Sequence, residues 1–192
     1  MVAARSPDYR KSRGVKMSTV ATLTKTGLSA VAAAIKTRPL HIAWGAGSEA
    51  WDSDPTKKPS LVDATALTHE LGRRTVRTCS FCTPDENGDI VAPTGTDSEG
   101  NLITARYSLS DTPQPYLYIM ASFGYGDASE ATIRECGLFM DTVVSEACPE
   151  GQRYFVPGEV TDPGYLVLAQ IFDSPIVRSA SMRQSIEFVF CV

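Results

Sequence analysis

Histidine is scarce in this 192-residue chain, where only His41 and His69 occur. A zinc site on closely spaced histidines is not expected, because neither histidine has a second one at ligand spacing. A Ser-His-Asp or Cys-His site would have to use one of these two, and neither a serine nor a cysteine stands in a G-x-S-x-G elbow. Long apolar runs are also missing. The longest is broken by Lys36, Arg38 and Pro39, well short of the ~18 residues that a membrane-spanning helix needs. No apolar stretch follows the basic N-terminus, so no signal peptide is expected, and the reading is a soluble protein made in a cytoplasm. Heptads and internal repeats are absent, which excludes a coiled-coil fibre shaft. Five cysteines, an odd number, argue for reduced and mostly buried thiols over a disulfide framework. Cys79-Ser80-Phe81-Cys82 is a CxxC without a second ligand pair. It sits in a strand-like segment, away from the helix N-terminus that redox chemistry requires.

Charge is unevenly distributed. Residues 1–18 hold Arg5, Arg10, Lys11, Arg13 and Lys16 against Asp8, whereas the other 174 residues hold 13 basic and 21 acidic groups. Such a basic arm on an acidic body is the expected partner contact, lying across an acidic neighbour with a salt-sensitive affinity. The body shows no basic stripe along the sequence, so nucleic acid is not an expected partner. With 43% hydrophobic and 21% charged residues, the chain has the composition of a folded protein. The expected organisation is an extended arm over 1–18 and one domain over 19–192, with a loop insert at about 92–115.

Two helices are expected near the N-terminus. Leu28, Val31 and Ile35 share one helical face, Thr24 or Thr26 caps the start, and Pro39 ends it. A second helix is expected over 61–72, with Leu61, Ala64, Leu67 and Leu71 on one face and Gly72 at the end. Between them, Leu40-His41-Ile42-Ala43-Trp44 reads as a strand closed by Gly45-Ala46-Gly47. Further strands are expected over 74–82, 102–108, 116–123, 132–140, 165–172 and 184–192, with turns at 85–89 and 97–101. The fold class that follows is α+β, with two N-terminal helices packed on a mostly antiparallel sheet or sandwich.

Several short patterns imitate functional motifs and fail on their context. Gly45-Ala46-Gly47-Ser48-Glu49-Ala50 matches the dinucleotide fingerprint, but Trp51-Asp52-Ser53-Asp54-Pro55 is a poor start for the phosphate-binding helix. His69-Glu70-Leu71-Gly72-Arg73 lacks the second histidine of a zinc protease, and Glu70 and Arg73 are better read as an ion pair at a helix end. Asp85-Glu86-Asn87-Gly88-Asp89-Ile90 begins like a calcium loop but has no glycine at the sixth position and no glutamate at the twelfth. Asp52 and Asp54 are read as loop acids, and His41 as a packed edge residue. No catalytic residue, metal ligand or cofactor is assigned.

Four stretches resemble, in order, the N-terminal domain of phage tail-collar fibre and baseplate-attachment proteins. They are Leu23-Thr24-Lys25-Thr26-Gly27-Leu28, Ile42-Ala43-Trp44-Gly45-Ala46-Gly47, the segment from Ala66 to Arg73, and Thr132-Ile133-Arg134-Glu135-Cys136-Gly137-Leu138-Phe139. The third is similar to the family's T-x-L-x-N-E-x-x-R pattern, with His69 at the usual asparagine. The fourth is similar to its I-R-E-x-G-L-F strand. Residues 174–190 are similar to its closing strand pair.

The resemblance implies a non-enzymatic virion protein of a tail or baseplate that attaches fibres or joins neighbouring subunits. It also implies homo-oligomers in a multiple of three. Family fibres continue into a shaft and a receptor-binding tip, so the expectation for a chain ending at Val192 is an attachment module standing as a separate subunit. Arg134 and Glu135, neighbours on one strand, are expected to point to opposite faces, one pairing with Glu70 or Arg73 and the other free for a contact. The competing reading is a small cell-surface or polysaccharide-binding module with Trp44, Trp51, Tyr116 and Tyr118 as its platform. A hydrolase using His69 or the Asp52/Asp54 pair is the third.

Overall fold

The computed structural model describes residues 21–99 and 101–192. The basic arm and its five cationic residues therefore lie outside the described residues. The chain opens with helix α1 (Lys25–Lys36), whose Thr24 side chain accepts the Gly27 N–H at 3.1 Å. A cap of this kind contributes about 1 kcal/mol. Strand β1 (Leu40–Gly45) follows, then a single helical turn, α2 (Ala50–Ser53), and a long connection to β2 (Glu70–Thr75). After these come β3 (Thr78–Pro84), β4 (Ile90–Thr96), β5 (Leu102–Ser110), β6 (Tyr116–Phe123) and β7 (Thr132–Met140). Short strands β8 (Val143–Val144), β9 (Tyr154–Phe155) and β10 (Val160–Asp162) precede the long β11 (Tyr165–Val177) and β12 (Gln184–Cys191).

Two five-stranded antiparallel sheets, ordered β11-β7-β1-β2-β9 and β12-β6-β3-β5-β4, face each other as a β-sandwich, and β10 pairs with β8 in a small third sheet. Ile42, Trp44, Cys136 and Leu138 from the first sheet meet Phe81, Leu117, Ile119, Ala121 and Phe123 from the second. The Trp44 indole stacks on Phe123 at a centroid separation of 3.4 Å. Large side chains buried to this degree each contribute ~1.5–3 kcal/mol, so this seam is the centre of the stability. Strict burial alternation along β6 matches its expected period of two. Val76 and Arg77 break the expected strand 74–82 in two. Here the chain leaves the first sheet as β2 and enters the second as β3.

The fold is mostly β, which corrects the α+β expectation of two helices on a sheet. Residues 61–69 form turns and bends, and the chain is already strand at Glu70. The leucine spacing that suggested a helix arises because Leu67 plugs the outer side of the first sheet against Ala43 and Phe139, while Leu71 packs toward the sandwich core. Tertiary pairing outweighs local periodicity here, because β1 would otherwise keep one row of backbone groups unpaired. The stripe that α1 buries is also rotated from expectation. Ala32 is fully buried, Ala33 and Ile35 pack on the core, and Val31 remains 41% exposed. A small residue at the contact lets the helix lie close to the sheet, and this turns the bulkier valine outward.

Candidate functional site

Glu70, Arg73 and Glu135 form a charged group on the outer side of the first sheet, beside the connection 46–69. A bulge in β2 creates one part of it. Ala43 lies opposite Arg73 and Gly45 opposite Glu70, with the register shifting between Trp44 and Gly45. Since Ala43 and Gly45 share a face of β1, the extra residue brings Glu70 and Arg73 to one face, although three positions apart on a strand would normally oppose them. Their ion pair is bidentate, with Arg73 Nε and Nη2 donating to Glu70 at 2.8 and 2.7 Å. Arg73 Nη1 also donates to Thr142 Oγ1 and to the Pro163 carbonyl, both at 2.8 Å, and the guanidinium lies 4.0 Å from the Phe139 ring centroid. The pair thus belongs to a strand bulge, not to the helix end expected for it, and it ties three segments together.

Glu135 is 2% exposed and accepts the backbone N–H groups of Thr68 and His69 at 3.1 and 2.9 Å. Gly45 is required beneath it, because a Cβ at that position would stand 2.6 Å from both Glu135 Oε1 and the His69 carbonyl. Arg134 reaches the start of the same connection. It donates through Nε and Nη2 to Asp52 at 2.9 and 2.8 Å and through Nη1 to the Ala46 carbonyl at 3.0 Å. The hydrogen bonds from Arg134 hold the Asp52 carboxyl below its ordinary range, and those to Asp52 raise Arg134. Arg134 and Glu135 therefore each bind the 46–69 connection, and neither pairs with Glu70 or Arg73.

The imitated motifs resolve into local architecture. At Gly47, with φ of +56°, the backbone passes so close to the Trp51 ring that a Cβ would lie 2.2 Å from it, and the turn α2 serves to bury that indole. Asp54 is turned away from Asp52 to accept from Thr56, and His69 stands exposed with its backbone held by Glu135. Asp85 accepts from Ser108 and from the Asn87 N–H, which lowers its carboxyl pKa and fixes the turn. His41 lies on a central strand and not at an edge. It is 7% exposed, and burial beside Arg73 lowers its pKa to about 4. Burial pushes the thiol of Cys82 up to about 11 and that of Cys136 up to about 12, the opposite of an activated cysteine. The proposed aromatic platform does not form. Trp44 and Trp51 are buried, Tyr116 and Tyr118 are half-buried, and Tyr118 donates its hydroxyl to Glu187.

Two features escaped sequence reasoning. One is Arg178, 3% exposed, whose guanidinium donates to the carbonyls of Met182 and Gly124 at 3.0 and 2.7 Å and lies 5.0 Å from the Trp44 ring centroid. The other is the β4–β5 hairpin, where Val91, Leu102, Ile103 and Leu109 are between 47% and 63% exposed. Leu102 and Ile103 are adjacent on a strand, so apolar groups stand on both faces of the hairpin. The strand expected over 102–108 forms within β5, so the segment read as a loop insert at about 92–115 is mostly this hairpin, and nothing in its residues signals that it stands uncovered.

A family model described as baseplate wedge 3 tail fiber network component matches residues 20–192. No curated protein matches the chain.

Proposed function

The chain belongs to that family of baseplate components, and from this premise we propose that it is a structural adaptor, attaching tail fibres or joining neighbouring tail and baseplate subunits without catalysis. The observation that carries the reading is the β4–β5 hairpin. An edge hairpin with apolar side chains on both faces is costly to leave in water, and covering it by a neighbouring protein recovers ~25 cal/mol for each Å² of apolar area removed. The charges beside the 46–69 connection support the same reading. Arg73, Arg134 and Glu135 bond within the fold, which makes the domain a rigid platform for docking. The basic arm is a second contact of this adaptor, and copies assemble in a multiple of three, in keeping with trimeric fibres and six-fold tails.

The experiment is complementation of a phage lacking this protein with the Leu102→Asp/Ile103→Asp double variant, followed by electron microscopy of the tails. The adaptor reading expects a folded variant and particles that lack fibres or a complete baseplate. Normal fibre-bearing particles carrying the variant would remove the hairpin from the interface. Light scattering of the purified chain, with and without residues 1–16, tests the copy number and the arm.

A further inference from the structure

Four arginines from distant parts of the chain line one recess. Arg74 lies on β2, Arg77 at the crossing from β2 to β3, Arg153 just before β9, and Arg183 just before β12. The backbone brings them together. The Thr75 N–H donates to the Arg153 carbonyl at 2.9 Å, and the Arg77 N–H donates to the Met120 carbonyl of β6 at 2.8 Å. Arg74 is paired with Asp127. Among the described residues, no carboxylate lies within ion-pair distance of Arg77, Arg153 or Arg183, all three of which are exposed. Arg183 is instead held 5.1 Å from the ring centroid of exposed Tyr125, which keeps its planar fork at the rim. A further positive charge lies beneath. Buried Arg178 donates to the carbonyl of Gly124, a residue of the recess wall, and among the described residues its hydrogen-bond acceptors are all carbonyl oxygens.

We propose that this recess is a docking site for an acidic segment of a neighbouring protein, whose carboxylate side chains enter among Arg77, Arg153 and Arg183. The proposal rests on the adaptor reading and names the chemistry of one of its partners. Guanidiniums converging on so small a volume repel one another, and an entering carboxylate replaces repulsion with charge-assisted, bidentate hydrogen bonds. Size favours side chains over a free ligand. The recess holds about 230 Å³, less than the roughly 300–1,000 Å³ of small-molecule pockets. Surroundings favour a peptide over nucleic acid, because the basic cluster is confined to one recess on a body with 13 basic and 21 acidic residues. A polynucleotide needs a basic track that follows its backbone well beyond so small a recess.

The test is titration of the full chain with a fluorescent hexaglutamate peptide at about 50 and about 300 mM salt, where screening differs strongly. The peptide binds, and its affinity falls by at least ~10-fold at the higher salt and by at least ~10-fold in each of Arg77→Glu, Arg153→Glu and Arg183→Glu. Lys25→Glu, an exposed reversal on α1, stays within about twofold of the parent. Circular dichroism of each variant separates lost binding from lost folding. Absence of peptide binding at low salt overturns the proposal. So does equal loss in Lys25→Glu, or tighter binding of inorganic phosphate or of a single-stranded oligonucleotide than of the peptide. A recess that binds nothing in a protein still needed for fibre attachment would leave the adaptor reading intact. A working recess in a protein that phage tails do not contain would sink the adaptor reading alone.

Discussion

Arginine plays opposite parts in two regions of this molecule. Beside the 46–69 connection, Arg73 and Arg134 are buried and each holds a carboxylate through two hydrogen bonds. Around the recess beside β2, Arg77, Arg153 and Arg183 are exposed and face no carboxylate among the described residues. The first arrangement secures a loop to a sheet. The second leaves positive charge for something outside the chain. Burial with a partner makes a guanidinium a structural tie, whereas exposure in a concave cluster makes it a recognition element.

The contrast is broken most severely at Arg73. Arg73→Ala leaves Glu70 without its counter-ion and frees the Thr142 and Pro163 contacts, so unfolding by denaturant should show a loss of about 3–5 kcal/mol. Replacing both partners by apolar residues of similar volume, Arg73→Met with Glu70→Leu, should restore much of it. Failure to recover would mean that the contacts to Thr142 and Pro163 matter more than the pair.

His41 probes the same covered side through pH. Its pKa is depressed from 6.5 to about 4, so between these values the unfolded chain binds the proton and the folded chain does not. Stability is therefore full above pH 6.5 and falls as pH drops toward 4, by up to about 3 kcal/mol. Denaturant midpoints across this range should show that slope, and His41→Leu should flatten it.

A smaller effect is expected at Arg134, because Asp52 remains 40% exposed and can return to water. Arg134→Ala should cost about 1–2 kcal/mol, and proteolysis should then begin earlier in the 46–69 connection. The smallest stability effect belongs to the recess. Arg77→Glu, Arg153→Glu and Arg183→Glu should each change the midpoint by less than about 0.5 kcal/mol while altering acidic-peptide binding. Stability losses like that of Arg134→Ala would mean that the two arginine regions do not differ in kind.

Much of the framework was legible in the residues. The period-two alternation at 116–123, the strand expected over 132–140 and the capped start of α1 each express local preferences that the fold keeps. The helix expected over 61–72 failed because four leucine and alanine positions cannot report which surfaces they meet. Leu67 and Leu71 point into different layers. Of the charged residues, Glu70, Arg73, Arg134 and Glu135 were visible as motif members, but their partners were not. Asp52 lies 82 positions from Arg134, and Thr68 lies 67 from Glu135.

By itself the sequence determined the alternation of the core strands, the acidic balance of the body and the family resemblance. These depend on neighbours in the chain and on composition. Tertiary structure alone decided that β2 begins as early as Glu70, that a bulge sets Glu70 beside Arg73, and that an acidic body with no basic stripe carries a four-arginine recess. The physical reason is common to all three. Backbone pairing and electrostatic fields act through space, so residues as far apart as Arg74 and Arg183 share an environment only after the sheets have closed on each other.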